Sequence, residues 1–358
     1  MIIGICSGDR VPAEKSFDGK VHWGGAGWAR LAQYLPYLKT DHTQVVEGTL
    51  VWFYDHFRIM GDNGLQDVDV IFVQRLMHDG LANHIRKAKA AGQVIINDVD
   101  DWYWGLAPSN GAWLASHPKH NPQENTNHYR SVICAGSVIT VSTSYLANRI
   151  KDWMPKCPIE ILPNTVDTAR FTKHDHTNNT PVVGWVGSTA HRSGDLEILS
   201  GIMTTTQNEL GFSLYHGGHH ESSPWLADAF KVSRELVSTK PTCDPQDYPS
   251  LLQMDIGIAP LSTRPFNEAK SEIKLMEYSA SGIPWIASSS SSYSSFQKEM
   301  GAGRIATRPR EWIRHLTELC GDWHLRHDEG EKLYERVKAR DIKFGAARLL
   351  DVAIHAEP

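Results

Sequence analysis

The chain reads as an α/β protein made of two Rossmann-like, doubly wound domains. Three observations predict this. Short apolar runs of strand length alternate with helical patterns from end to end, the order that builds parallel sheets wrapped by helices. Glycine-rich segments at residues 24–27 and 184–187 connect strands to helices. The 358 residues exceed one ordinary core, and Pro155, Pro158, Pro163 and a polar run over 173–180 mark a break near the middle.

Residues 2–6, IIGIC, are the first strand. An insertion over 7–23 separates it from the loop carrying Gly24, Gly25 and Gly27, which opens a helix over 28–38. A buried strand at 68–73 leads to Gln74, Arg75 and a helix near 82–91, and the strand at 94–97 runs into DVDDW. A polar, proline-containing loop over 107–127 precedes a helix from about His128, a strand at 137–141 and a helix over 146–153 capped near Ser142 and Thr143. Alternation restarts at 182–187. It continues with a helix at 195–203, a strand at 212–215, a connection over 225–232, a helix at 248–253 and a strand at 256–259. A helix from Asn267 to Ser281 stops at Gly282, and a strand follows at 283–287. The serine run 288–295 is a loop, and helices over 311–319, 323–340 and 344–354 complete the chain. The expected domains are 1–165 and 166–330, with helices over 331–358 packing back on the first.

Composition narrows the function. With 41% hydrophobic and 22% charged residues the chain is a soluble globular type, and a net charge of −5 supplies no general attraction to nucleic acid. No apolar run reaches the roughly 20 residues that span a bilayer, and the N-terminus lacks the order of a signal peptide, so the expected compartment is cytoplasmic. Five scattered cysteines read as reduced thiols. His216, His219 and His220 lack a carboxylate or thiolate companion at ligand spacing, so they read as a loop lining a cleft ahead of a metal site.

The functional signal is NEAKSEIKLMEYSASGIPWIAS at 267–288. Lys270, Lys274 and Glu277 fall at i, i+4 and i+7, one face of a helix. A helix N-terminus with Lys270 and Ser271 in its first turn suits a diphosphate, and Glu277 two turns on suits a ribose diol. The alternative is a solvated face with a Lys274–Glu277 pair worth about 0.2–0.5 kcal/mol.

Together with ILPNTVDTARF at 161–171, GWVGSTAHRSGDLEIL at 184–199 and YPSLLQMDIGIAPL at 248–261, this segment resembles the GT-B glycosyltransferases of the glycogen synthase-like, group 1 type. GGAGWARLAQYLPYL resembles that family's glycine loop and first helix, and IINDVDDWYW resembles a segment of a bacterial and phage subgroup. The resemblance spans about residues 20–340. It implies two domains facing an interdomain cleft, a nucleotide-diphosphate sugar held by the second and an acceptor by the first. Residue by residue, it implies ribose contact for Glu277 and diphosphate contact for Gly187, Ser188, Lys270, Ser271 and Lys274. Gly25 and Gly27 would close over the donor, with Arg30 behind them. The family's first Glu, which touches the donor sugar, is Ala269 here, and Glu268 beside it would point about 100° away on a helix.

The remaining candidates keep more than one reading each. Asp100 and Asp101 face the reacting sugar or acceptor, or else cap a loop; a metal is the lesser alternative, because lysines and helix ends can neutralise the leaving diphosphate. His191 and Arg192 touch phosphate or solvent. Gln74 and Arg75 line the acceptor side or pair with the Asp98 loop. Trp102, Trp104 and Trp113 stack on an acceptor or belong to the core.

The expectation is a metal-independent, retaining transferase using a UDP- or GDP-sugar, with no cofactor. Its catalytic residues would be Asp100, Asp101 and Lys270. Three acceptor classes stay open: a modified DNA base, a virion protein and a surface glycan. A nucleotide-sugar-binding protein or epimerase on the same fold is the alternative, kept alive by Ala269.

Overall fold

The computed structural model describes residues 1–116, 123–154, 156–176, 178–192 and 194–358. The chain forms two compact units: residues 1–106, 113–165 and 342–358, and residues 107–112 and 166–341.

The sheet of the first unit contains β1 (Ile2–Ser7), β2 (Gln44–Glu47), β3 (Val70–Gln74), β4 (Val94–Val99), β5 (Val138–Val141) and β6 (Ile159–Ile161). All pairings are parallel, in the order β6-β5-β4-β3-β1-β2. Strands β3, β4 and β5 are buried along their whole length, as a sheet covered on both faces requires. The order reverses between β1 and β3, so the loops after these strands leave in opposite directions and open a crevice at their carboxyl ends.

The second unit repeats the plan with β7 (Val182–Val186), β8 (Ser213–His219), β9 (Val237–Pro241), β10 (Ile256–Ala259), β11 (Trp285–Ser288) and β12 (Arg304–Ala306). Its order, β9-β8-β7-β10-β11-β12, is again parallel and is that of a dinucleotide-binding fold, with the reversal between β7 and β10. Trp185, Trp285 and Trp312 are fully buried in its core, and Trp285 Nε1 finds a partner in Ser279 Oγ at 3.1 Å.

Several elements depart from expectation for local reasons. The helix expected over 28–38 begins at Gly25, ends at Arg30 and resumes as a 3₁₀ turn and the short helix Leu35–Leu38; Pro36 in that last piece has no N–H to continue the ladder. The helix expected at 195–203 is the 3₁₀ segment Leu196–Leu199 followed by Ile202–Leu210, broken at Gly201 with φ +80°. His216 and His219 lie in β8, not in a loop.

An antiparallel meander, Thr49–Phe53, His56–Gly61 and Gly64–Asp67, joins β2 to β3 and has no counterpart in the sequence reading. It buries Phe57 and Ile59 on one face, and Gln93 holds it by bonding both the N–H and the carbonyl of Phe57 at 2.8 Å. Among the described residues no helix is long and apolar enough to cross a membrane.

The helix Ile342–His355 belongs to the first unit. Ile342, Ala346, Leu349 and Ala353 recur at helical spacing along one face and enter a cluster with Ile3, Leu31, Tyr34 and Leu38. Leu349→Ala should destabilise the protein by about 2–5 kcal/mol in urea unfolding. The exposed Phe344→Ala on the same helix should change stability by no more than about 0.5 kcal/mol.

Candidate functional site

At the reversal of the second sheet, the chain leaves β7 through Gly187. Its φ of +136° excludes ordinary side chains, and a Cβ there would sit 3.4 Å from Lys274 Nζ. The peptide is held from two directions: Gly187 N donates to Gly217 O at 2.8 Å, and His216 Nε2 donates to Gly187 O at 3.0 Å. Burial lowers the His216 pKa and keeps the ring neutral, so it acts as a fixed donor. Ser188 is exposed, and its hydroxyl caps the 3₁₀ turn Thr189–His191 by accepting from Ala190 N at 3.3 Å. Arg192 lies 3.9 Å from Asp195 and is close enough to help lower the Lys274 pKa. The side chain of His191 lies outside the described residues.

The opposite wall comes from the segment after β10, which departs from the single helix expected here. Pro265–Glu268 is one short turn, and the next helix, Ile273–Ala280, starts after a break. Ser292 Oγ takes the Lys270 carbonyl at 2.5 Å, which draws it away from a helical ladder. Lys270 and Ser271 are therefore in the connection and not in a helical first turn, and Glu272 occupies the N-cap. Lys270 packs its ammonium over the Phe266 ring at 4.3 Å. Asp195, which the sequence reading missed, anchors this wall: its Oδ1 accepts from Ser262 N at 3.0 Å, Ser262 Oγ at 2.6 Å and Asn267 Nδ2 at 2.6 Å. Ala269 is fully buried.

Lys274 and Glu277 sit less than one helical turn apart and are half-buried. Lys274 Nζ donates to Val186 O and lies 4.9 Å from the centre of the Trp185 ring. Burial, reinforced by the Arg192 charge, presses its pKa down to about 7; burial pushes Glu277 up to about 7 against the pull of Lys274. Tyr248, a second residue the sequence reading passed over, is beside Glu277 and is held strongly un-ionised by burial and that carboxylate.

In the first unit the reversal is framed by Asp9 after β1, Arg75 after β3 and the residues after β4. Asp9 was not anticipated. Its Oδ2 accepts from Gly27 N and its Oδ1 from Arg75 Nη1, both at 2.8 Å. A Cβ on Gly27 would meet the Trp23 ring at 2.8 Å and Asp9 Cβ at 2.9 Å, whereas one on Gly25 would meet nothing within 4 Å. Gly27 is thus a packing requirement, and Gly25 borders open space.

Asp98 organises the layer beneath. It accepts from Arg30 Nη2 at 2.6 Å, Arg30 Nε at 3.1 Å, Thr140 Oγ1 at 2.8 Å and Gln74 Nε2 at 3.2 Å. Arg30 sends its remaining amine to Leu162 O at 2.6 Å and Asn164 Oδ1 at 2.8 Å. Arg30 and Gln74, at 3% and 0% exposure, therefore support the floor of the crevice and are not directed at a ligand. Trp102 is also a core residue, its ring centre 4.9 Å from that of Trp104 and 4.8 Å from that of Trp153.

Asp100 is different. Its Oδ1 is buried without a hydrogen-bond partner among the described residues, as are the hydroxyls of Tyr103 and Tyr129, whose rings are 5.9 Å apart. Burial and the neighbouring Asp101 push the Asp100 carboxyl up to about 7, against the pull of Arg75. Arg75, with φ +54°, lies 5.3 Å from the Tyr103 ring centre. Asp100, Tyr103, Tyr129 and Arg75 form one polar cluster that could bind a hydroxyl-rich ligand.

No family model matches the sequence, and no curated protein matches it. Solved structures do resemble the fold. A sucrose-phosphate synthase from Thermosynechococcus elongatus superposes with TM-score 0.62 at 12% identity over 98% of both chains. Anabaena HepE, solved with UDP and glucose, gives 0.60 at 11% over 98% of this chain and 99% of its own. A TarM variant from S. aureus, solved with fondaparinux, α-GlcNAc-glycerol and UDP, gives 0.59 at 10% over 79% of this chain; the match spans 55% of TarM. The fold is that of the GT-B glycosyltransferases.

The Asp98 and Asp100 environments predict opposite outcomes. Asp98→Ala leaves the Arg30 charge buried and should cost about 3–5 kcal/mol in urea unfolding. Asp100→Asn should be neutral or stabilising. A carboxyl raised in the folded state binds more protons than in the unfolded state, so it lowers stability as pH climbs from about 4 to about 7. Unfolding measured across that range should show the wild type declining relative to Asp100→Asn.

Proposed function

We propose that the protein is a glycosyltransferase that takes a UDP- or GDP-linked sugar as donor and an acceptor hydroxyl, with retention and without a metal at the donor site. The observation that carries this reading is the half-buried Lys274 and Glu277 pair beside Gly187, at the reversal of a sheet with dinucleotide-binding strand order. The Lys274 ammonium has two N–H donors beyond the one given to Val186 O and sits against a backbone turn that has no Cβ, which suits a diphosphate oxygen. Glu277, three residues along the same helix, suits two ribose hydroxyls, with Tyr248 supporting the carboxylate.

In this reading Lys274, Lys270 and the Gly187 turn stabilise the charge that develops on the leaving diphosphate. The acceptor oxygen bonds to the anomeric carbon as the bond from that carbon to the diphosphate breaks, and the hydroxyl proton leaves with the diphosphate. In the first unit, Asp100, Tyr103 and Tyr129 carry buried polar atoms suited to the hydroxyls of an acceptor. HepE and TarM were both solved with UDP, which favours a uridine donor for this chain as well.

The burial of Ala269 supports a second reading, nucleotide-sugar binding or epimerisation without transfer, because no carboxylate stands at that position. Incubation with labelled UDP-glucose separates the two. Label in an acceptor supports transfer, and an altered free sugar nucleotide supports epimerisation. A DNA acceptor further predicts transfer that falls steeply with salt, whereas a neutral glycan predicts a flat response.

Two outcomes are expected of the donor site. Glu277→Ala should weaken UDP-glucose binding by about 10- to 100-fold in calorimetry, the loss of hydrogen bonds to a charged group; unchanged affinity would sink the assignment. Above neutrality Lys274 is partly deprotonated, so engaging a diphosphate should draw a proton in; below neutrality Glu277 is partly protonated, so engaging the ribose should release one. Calorimetry of UDP-glucose binding in buffers of different ionisation enthalpy should therefore show net proton uptake near pH 8 and release near pH 6.

A further inference from the structure

At the amino end of the second sheet, opposite Gly187, two histidines and one aspartate converge. Asp255 immediately precedes β10 and is fully buried, and His174 and His176 lie on the segment that leads into β7. His174 Nε2 is 3.2 Å and His176 Nδ1 is 3.6 Å from Asp255 Oδ1, and all three atoms lie within 4.8 Å of one another. Tetrahedral zinc, with bonds of about 2.0–2.1 Å to nitrogen and oxygen, separates its ligand atoms by roughly 3.3–3.4 Å. The two pairs that include Asp255 bracket that value.

The surrounding bonds fix which atoms face inward. His176 Nε2 lies 2.6 Å from Gly282 O, which only accepts, so Nε2 carries a proton. In the neutral ring Nδ1 then presents a lone pair to a carboxylate oxygen, at 2% exposure and with no hydrogen-bond partner among the described residues. At 3.6 Å this is too long for a hydrogen bond, and two lone pairs facing each other in a dry site repel unless a cation lies between them. The other carboxylate oxygen, Oδ2, accepts from Val182 N at 2.8 Å, which orients Asp255 as a backbone contact orients a metal ligand. A Cβ on Gly330 would meet Gly282 O at 2.1 Å and His176 Nε2 at 3.1 Å, so a glycine there lets the ring reach its carbonyl. His174, at 27% side-chain exposure, leaves a route for the ion and for a water as fourth ligand.

We propose that His174 Nε2, His176 Nδ1 and Asp255 Oδ1 bind a divalent transition-metal ion of the zinc type, which clamps the segment before β7 to the amino edge of the sheet. The site lies at the far end of the strands from Lys274 and Glu277, so its role is structural and separate from the donor site. The competing occupant is a proton, which would make His176 an imidazolium paired with Asp255. Among the described residues, Arg326 and Glu331 also act on this cluster, the first opposing a further cation and the second favouring it.

The test uses the full chain without an affinity tag, stripped with a chelator. One equivalent of Zn²⁺ should bind in calorimetry. With zinc about 100-fold above its Kd, Tm should rise by roughly 5–10 °C. Co²⁺ should give the visible absorption of a tetrahedral site, and UDP-glucose affinity should be the same with and without metal. His174→Ala, which removes the most exposed ligand, should abolish the cobalt absorption and the zinc-dependent rise in Tm. Wild-type protein that shows neither the absorption nor a zinc-dependent shift, or a His174→Ala variant that retains both, overturns the proposal. The first of these outcomes assigns the cluster to a proton.

Discussion

The carboxylate of Asp98 is the interaction on which the first unit's site depends. It sits at the end of a fully buried strand, where an isolated charge would be untenable, and hydrogen bonds from Arg30, Thr140 and Gln74 make it tolerable. Each donor belongs to a different element: the helix of the glycine loop, β5 and β3. The bonds therefore set the spacing of the crevice floor. Arg30 extends the same network to Leu162 and Asn164, past the end of β6. Asp100 two residues later can be left with an unpaired oxygen because Asp98 already holds the strand end in place.

The second unit holds the equivalent strand end through a backbone turn. Its strand end is a glycine turn pinned by backbone and histidine donors, and the wall facing it is fastened through Asp195 to Ser262 and Asn267. The break between Glu268 and Ile273 matters to the chemistry. It places Lys270 in a connection and lets the next helix start afresh, so that Lys274 and Glu277 reach Gly187 and Tyr248 from an axis of their own. A cation and a carboxylate both displaced toward neutrality by burial form a site whose charge responds to what binds it.

Much of the fold was legible in the sequence because its strands are short apolar runs, as at 70–74 and at 256–259, where Pro260 follows. The short edge strands 159–161 and 237–241 were not, since edge positions tolerate Glu160, Lys240 and Pro241. The meander at 49–67 was hidden by its exposed Tyr54, Asp55 and Asp62, whose alternation with Phe57 and Ile59 is short. In the candidate site, the shared helix face of Lys274 and Glu277 was readable from their spacing, and the turn at Gly187 from its place after a strand. Asp9, Asp195, Tyr129 and Tyr248 were not, because each acts through partners far away in sequence, and nothing local marks an aspartate that will cap a loop 18 residues on. The same gap left two readings open for Gln74 and Trp102 and put Arg30 toward the donor: a polar or aromatic residue near a strand end looks alike in sequence whether it faces a ligand or the layer below. His174 and His176 are a plain His-x-His pair whose third partner lies 79 residues beyond His176.

The helix Ile342–His355 completes a core whose other strands and helices all precede residue 166, and residues 166–341 form a separate unit between them. On the ribosome, the unit begun first must therefore wait, its apolar cluster of Ile3, Leu31 and Tyr34 lacking one wall, while the whole of the second is made and able to fold. The usual order of maturation, amino-terminal domain first, is inverted. Chaperone engagement and premature termination would both act on the half of the protein that was translated earliest.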